Sequence, residues 1–141
     1  MKELKGIAGD DPDVRLLMTA PSVGYYIVLL VKAEIGDVGR FSSCDHLASY
    51  SGLVPSTRSG GGVERHGGIT CEGSRWLRWA MVDAAMVHLR YDTPVARFYH
   101  RVAEHRGRKP ALVAAARKLV TVCYSVLVNR RPYYNTLYAQ A

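Results

Sequence analysis

Residues 52–79 read GLVPSTRSGGGVERHGGITCEGSRWLRW, a hydroxyl- and glycine-rich stretch running into a segment of Arg and Trp. Ser56, Thr57 and Ser59 offer hydroxyls, and Gly60, Gly61 and Gly62 let the backbone come close to a partner. Arg58, Arg65, Arg75 and Arg78 add positive charge that no acid of equal density offsets. A serine hydroxyl surrounded by cations suits attack on a phosphate, whose developing charge needs stabilising. Ser59 follows Arg58 and precedes the three glycines, which makes it the candidate nucleophile. On residue types alone, an ordinary Ser/Gly surface loop is the stronger reading of the same stretch.

Other chemistries find less support. The glycines are not followed by Gly-Lys-Ser/Thr, so no P-loop is present, and there is no GxSxG. His66, His88, His100, His105, Cys44 and Cys71 occur without CxxC, HxxxH or HExxH spacing, which argues against a metal site. His88 falls on an apolar helical face and is expected in the core or at its boundary. His100 and His105 are expected on a solvated face. Three scattered cysteines argue against a disulfide framework and fit a reducing cytoplasm. The longest apolar run near the start, residues 23–31, is too short to span a bilayer, so no membrane partner is expected.

Charge points to a partner. The chain has 141 residues and a formal charge of +7. Residues 1–57 carry five Lys/Arg against seven Asp/Glu, whereas residues 58–141 carry fourteen against five. Fourteen of the 19 basic residues are Arg, whose planar fork matches phosphate. An acidic polymer, DNA or structured RNA, is the expected partner.

The elements that must position these groups read as an all-α domain with one irregular Gly/Ser-rich loop. Residues 1–13 form an acidic lead-in, with Asp13 able to cap a short helix over 14–19. Pro21 and Gly24 mark a turn before a second helix over 24–34 that ends at Gly36. Helix, tight turn and helix outline a helix-hairpin-helix, in which Gly24 could let backbone approach a phosphate; an ordinary αα-hairpin is the stronger reading of the pattern itself. Ser42 or Ser43 caps a third helix stopped by Gly52. Residues 53–72 form the loop. Ser74 caps a helix over 75–90, and Thr93-Pro94 starts another running to about residue 105. After a break at 107–110, a last helix covers 111–129. Residues 130–141 are expected as a flexible, tyrosine-rich tail.

Seven blocks carry a resemblance: LMTAPSVG at 17–24, AEIGDVGRF at 33–41, LASYSGLVPS at 47–56, HGGIT at 66–70, GSRWLRWAMVDAA at 73–85, then ARFYHR and ALVAAARKLV. In this order they resemble the C-terminal domain of the DEDD-type bacterial insertion-sequence transposases, some of which are RNA-guided serine recombinases. The resemblance covers roughly residues 14–129. It implies a DNA-binding domain that supplies a serine for DNA transposition and recombination. The serine would attack a DNA phosphate, form a phosphoserine intermediate and religate to a new strand. Arg58, Arg65, Arg75 and Arg78 would steady the phosphate. The family's partners would be DNA, a structured guide RNA and further copies of the chain.

The family's N-terminal ribonuclease-H-like domain does not map onto Asp10, Asp11 or Asp13. The expectation is therefore a truncated copy or excised domain, inactive alone, with no cofactor of its own and divalent metal held by the missing domain. The family's Pro-Gly-Ile-Gly turn is here Pro21-Ser22-Val23-Gly24. Its serine position, counted from Pro55, falls on Gly60, with Ser59 one residue earlier. Either Ser59 acts through a small shift or this copy lacks the nucleophile. A non-catalytic nucleic-acid-binding module and a helical oligomerisation module stay open as alternatives.

Overall fold

A computed structural model describes residues 11–21, 23–53 and 73–133. Among these residues the fold is all-α, with six α-helices and one 3-10 turn: α1 Pro12–Leu17, α2 Tyr25–Ile35, the turn Val38–Arg40, α3 Cys44–Ser51, α4 Arg75–His88, α5 Pro94–Arg106 and α6 Arg108–Asn129.

The helix ends follow from side-chain and glycine caps. Ser43, Ser74 and Thr93 each accept a hydrogen bond from a backbone N–H three residues on, which satisfies a donor the helix itself leaves unpaired. Pro94 then occupies the first helical position, where a missing N–H costs nothing. Gly52 ends α3 with φ +72°, in the left-handed region that glycine enters without a Cβ penalty.

Two expected boundaries move. Asp11, not Asp13, caps α1, because Pro12 fills the first helical position and the Asp13 N–H donates to Asp11 Oδ1 at 2.8 Å. The break between α5 and α6 narrows to Gly107 alone. Its φ of +90° reverses the chain in one residue, and α6 resumes at Arg108. The helix-hairpin-helix expectation runs through Ser22, which lies outside the described residues.

α6 is the central helix. It packs against α5, α4, α3 and α1, and buries nine residues from Ala111 to Leu127. By length and composition it could cross a membrane, but here its apolar side forms the core of the bundle. Ala115 and Ala116 are buried on α6, and Ala80, Ala84 and Ala85 on α4. Small side chains on both helices let their backbones come close. Leu77, Met81, Leu119 and Val126 fill the space around them.

Asp13 is left free to tie the two ends of the chain together. Its carboxylate accepts from Lys32 Nζ on α2 at 2.5 Å and also pairs with the Arg130 guanidinium at the end of α6. Burial pushes the Asp13 carboxyl up, but the hydrogen bonds and charges of Lys32 and Arg130 outweigh it and hold the group below its ordinary 3.8. Of residues 130–141, those from 130 to 133 are described, and they dock onto the body. Tyr133 is buried, and its N–H donates to Thr19 Oγ1 at 2.8 Å.

Candidate nucleic-acid interface

Three constraints fix the start of α4. Gly73 sits against the end of α3 with φ +99°, and a Cβ there would lie 2.0 Å from the Tyr50 carbonyl oxygen. The Ser74 N–H donates to that same oxygen at 2.7 Å. The Ser74 hydroxyl accepts from the Leu77 N–H and donates to Glu34 Oε2 on α2 at 2.6 Å. The first turn of α4 is therefore held to both α3 and α2.

That anchoring presents Arg75, Trp76 and Trp79 to solvent. Trp76 is 64% exposed and Trp79 49%, so neither is a core residue, although large aromatics at helical spacing are commonly expected there. Arg75 lies one turn before Trp79 on the same side of the helix. Arg78 is half-buried beside them. Tyr26, 60% exposed on α2, meets Trp79 edge-on at 6.2 Å between ring centroids. Gly24 caps α2 two residues before Tyr26. It is exposed in extended backbone, and among the described residues, its chain neighbours aside, no atom lies within 4 Å of where a Cβ would stand. Among the described residues nothing there requires glycine for packing.

Of the residues singled out from the sequence, Arg75 and Arg78 lie in the first turn of α4, against the end of α2 at Glu34, whereas Gly24 lies at the opposite end of this antiparallel pair, where His88 at the end of α4 faces Pro21. Ser59, Arg58 and Arg65 lie outside the described residues, as do His66 and Cys71. Tyr26 was missed because it sits within a continuous apolar run, where period alone does not tell which residue faces out.

The remaining candidates are structural. His88 is fully buried. Its Nδ1 faces the Pro21 carbonyl at 3.3 Å, and its Nε2 lies 2.7 Å from Thr93 Oγ1. A carbonyl only accepts, so Nδ1 carries the proton and Nε2 accepts from the Thr93 hydroxyl. Burial of the Cys123 thiol pushes it up to about 12, too high for a nucleophile at neutral pH. Arg40 stacks on Phe41 and Tyr50 and donates to the carbonyls of Glu34 and Ile35, closing the end of α2. Among the described residues, no group of three His, Cys, Asp or Glu side chains could hold a metal ion.

An aromatic and arginine edge on an all-α frame fits several families, and comparison with known proteins decides among them. Residues 14–101 match the family described as Transposase IS116/IS110/IS902. The chain belongs to this transposase family. It is 30% identical over 136 residues to the transposase for insertion sequence element IS1111A of Coxiella burnetii, covering 94% of this chain and 37% of that protein. It is 32% identical over 121 residues to the pilin gene-inverting protein of Moraxella bovis, covering 84% and 38%. A third relative, the insertion element IS110 43.6 kDa protein of Streptomyces coelicolor, is 33% identical over 115 residues, covering 79% and 28%. The chain spans less than two fifths of the length of these relatives. The match to the IS110 family includes the turn at Gly24, all of α4 and the start of α5.

Proposed function

We propose that this chain is a DNA-binding portion of an IS110-family insertion-sequence transposase and that the α2–α4 edge, made by the exposed side of the first half of α4 with Tyr26 of α2 against Trp79, contacts the DNA. The observation that carries this reading is the exposure of Trp76, Trp79 and Tyr26 beside Arg75. Aromatic faces and guanidinium groups together suit a sugar–phosphate partner. Gly24, at the far end of the same helix pair, would be a separate point of backbone approach. In the complete enzyme Ser59 would supply the hydroxyl for strand transfer. Its oxygen would bond to a DNA phosphorus as the bond to the leaving deoxyribose oxygen breaks and that oxygen takes up the proton. A strand-end hydroxyl would then reverse the step on a new strand. Acidic residues elsewhere in a full-length DEDD-type enzyme would hold divalent metal. A structured guide RNA and a cytoplasmic setting belong to the same reading.

The test is affinity for duplex DNA across a salt series. Arg75→Ala with Arg78→Ala is expected to weaken binding and reduce the slope of log K against log salt by about 0.9 for each phosphate no longer neutralised. The melting temperature should change little. An unchanged slope in the folded variant would remove this edge from the interface.

Self-association is the second reading, favoured by Met86, which is 50% exposed on the same flank of α4 as Trp79. It expects Trp79→Ala with Met86→Ala to convert an oligomer to a monomer in sedimentation, with DNA affinity per subunit unchanged.

A further inference from the structure

A second basic surface lies on the hairpin of α5 and α6. From Thr93 to Lys118 the chain holds seven Lys/Arg and one acid, Glu104. Arg101, Arg106, Arg108, Lys109, Arg117 and Lys118 are all exposed, and none forms an ion pair among the described residues. Like charge this dense raises the energy of the folded state unless something neutralises it.

Two of these cations border an open groove between the helices, lined by Pro94, Val95, Phe98, Arg101 and Lys118. On α5, Arg97, Arg101 and His105 recur at i, i+4 and i+8. They form a row about 12 Å long, at 1.5 Å rise per residue. That length matches roughly three to four base-pair steps of a DNA strand at 3.4 Å each. Arg97 is held in place by Asp92 at 2.7 Å.

We propose that this groove is a docking surface for the phosphate backbone of duplex DNA, with Arg101 and Lys118 as its contact residues. The surface deepens the DNA-binding reading above and is separate from the α2–α4 edge. The state of Phe98 selects duplex over single strand. A single-stranded partner needs bare aromatic faces on which bases can stack. Among the described residues Phe98 is the one aromatic ring lining the groove, and Lys118 Nζ lies over it at 5.0 Å from the centroid. The face is taken, so the groove offers charge and a low apolar floor rather than a stacking platform. Phosphates held on the outside of a duplex fit it; splayed bases do not.

The experiment measures binding of the 141-residue chain to a 30-base-pair duplex and to a single strand of the same length, each across a salt series. Arg101→Gln with Lys118→Gln keeps a polar side chain at both positions and removes both charges. The duplex slope is expected to fall by about 1.8, at about 0.9 per neutralised phosphate, with sequence preference unchanged. The single-strand slope should fall by less. Circular dichroism of the same variant checks that the helices remain. An unchanged duplex slope, or a loss confined to the single strand, overturns the proposal. Arg75→Ala with Arg78→Ala, measured alongside, separates the two surfaces. Loss with the edge variant alone leaves the edge and removes the groove, whereas loss with the groove variant alone does the reverse. No binding of the wild type to duplex at low salt removes both.

Discussion

The two faces of α4 are built from opposite materials to those hydrophobicity alone would choose. The inner face buries Leu77, Ala80, Met81, Ala84, Ala85 and His88. The outer face leaves Trp76, Trp79 and Met86, three of the largest apolar side chains in the chain, in solvent. The inner face is small because α6 must come close, and the alanines of both helices set that distance. Among the described residues the outer face meets the Tyr26 ring edge-on at Trp79, a contact that leaves both rings about half exposed or more. A Trp or Tyr can bury about 150–250 Å² on a partner, at about 25 cal/mol per Å². Surface of that kind clustered beside arginine marks a contact site more than a folding element. The inner face should therefore control stability, and the outer face binding.

The strongest way to break that division is at Met81, which is fully buried among the side chains between α4 and α6. Met81→Ala should cost about 2–5 kcal/mol through lost burial and the cavity left behind. Urea denaturation reads the loss. DNA affinity of the molecules still folded should be unchanged, and weaker binding by that folded fraction would show that the two faces are not independent.

Ser74 should give a smaller effect that touches both faces. Ser74→Ala removes the acceptor for the Leu77 N–H and the donor to Glu34, with an expected cost of about 0.5–2 kcal/mol. Because the cap also anchors the turn bearing Arg75 and Trp76, DNA binding should weaken modestly in the same variant. Ser74→Asp keeps a cap acceptor but faces Glu34 with like charge. It should therefore restore less stability than it would at an isolated helix start. Thermal melts of the three proteins order the effects, and equal stability of Ser74→Ala and the wild type would remove the cap's role.

The helices were legible from the sequence because their signals are local. Ser74, Thr93-Pro94, Gly36 and Gly52 mark ends through groups within four residues, and the 3.6-residue period of α4 and α6 marks their buried faces. What escaped was set by distant contacts. The release of Asp13 from capping depends on Lys32 and on Arg130, 117 residues away. The docking of Tyr133 depends on Thr19. The outward placement of Trp76 and Trp79 depends on how Gly73 seats on Tyr50, which no period reports. The basic character of residues 58–141 was visible, but its concentration on the α5–α6 hairpin became apparent only once Gly107 brought Arg101 and Lys118 to one groove. Ser59, Arg58 and Arg65, on which the chemistry rests, remain readings of the sequence.

The smallest effect is one of pH, and it separates the faces without altering the outer one. His88 is the single ionisable residue on the buried face of α4. Burial holds its imidazole below the ordinary 6.5, and the Pro21 carbonyl, which favours the protonated ring, only partly offsets this. The neutral ring also suits its neighbours. Nδ1–H donates to Pro21, Nε2 accepts from Thr93, and the Thr93 hydroxyl oxygen accepts from the Ala96 N–H as the cap of α5. A second proton on His88 would leave Nε2–H and the Thr93 hydroxyl as two donors, so the hydroxyl would have to turn away. A group with a folded pKa below its unfolded one binds fewer protons when folded. Its contribution to stability is full above about 6.5 and is lost as pH falls through the lower folded value. Asp13 has the same sign, but its loss begins only near its ordinary 3.8. A urea midpoint that declines as pH falls below about 6.5, and declines further once pH passes the ordinary 3.8 of Asp13, would show the two groups in turn. His88→Gln should lower the midpoint at about pH 7.5 yet flatten the upper part of the decline. A decline of equal size in that variant would show that His88 does not carry it, and leave the inner face with no pH-sensitive member.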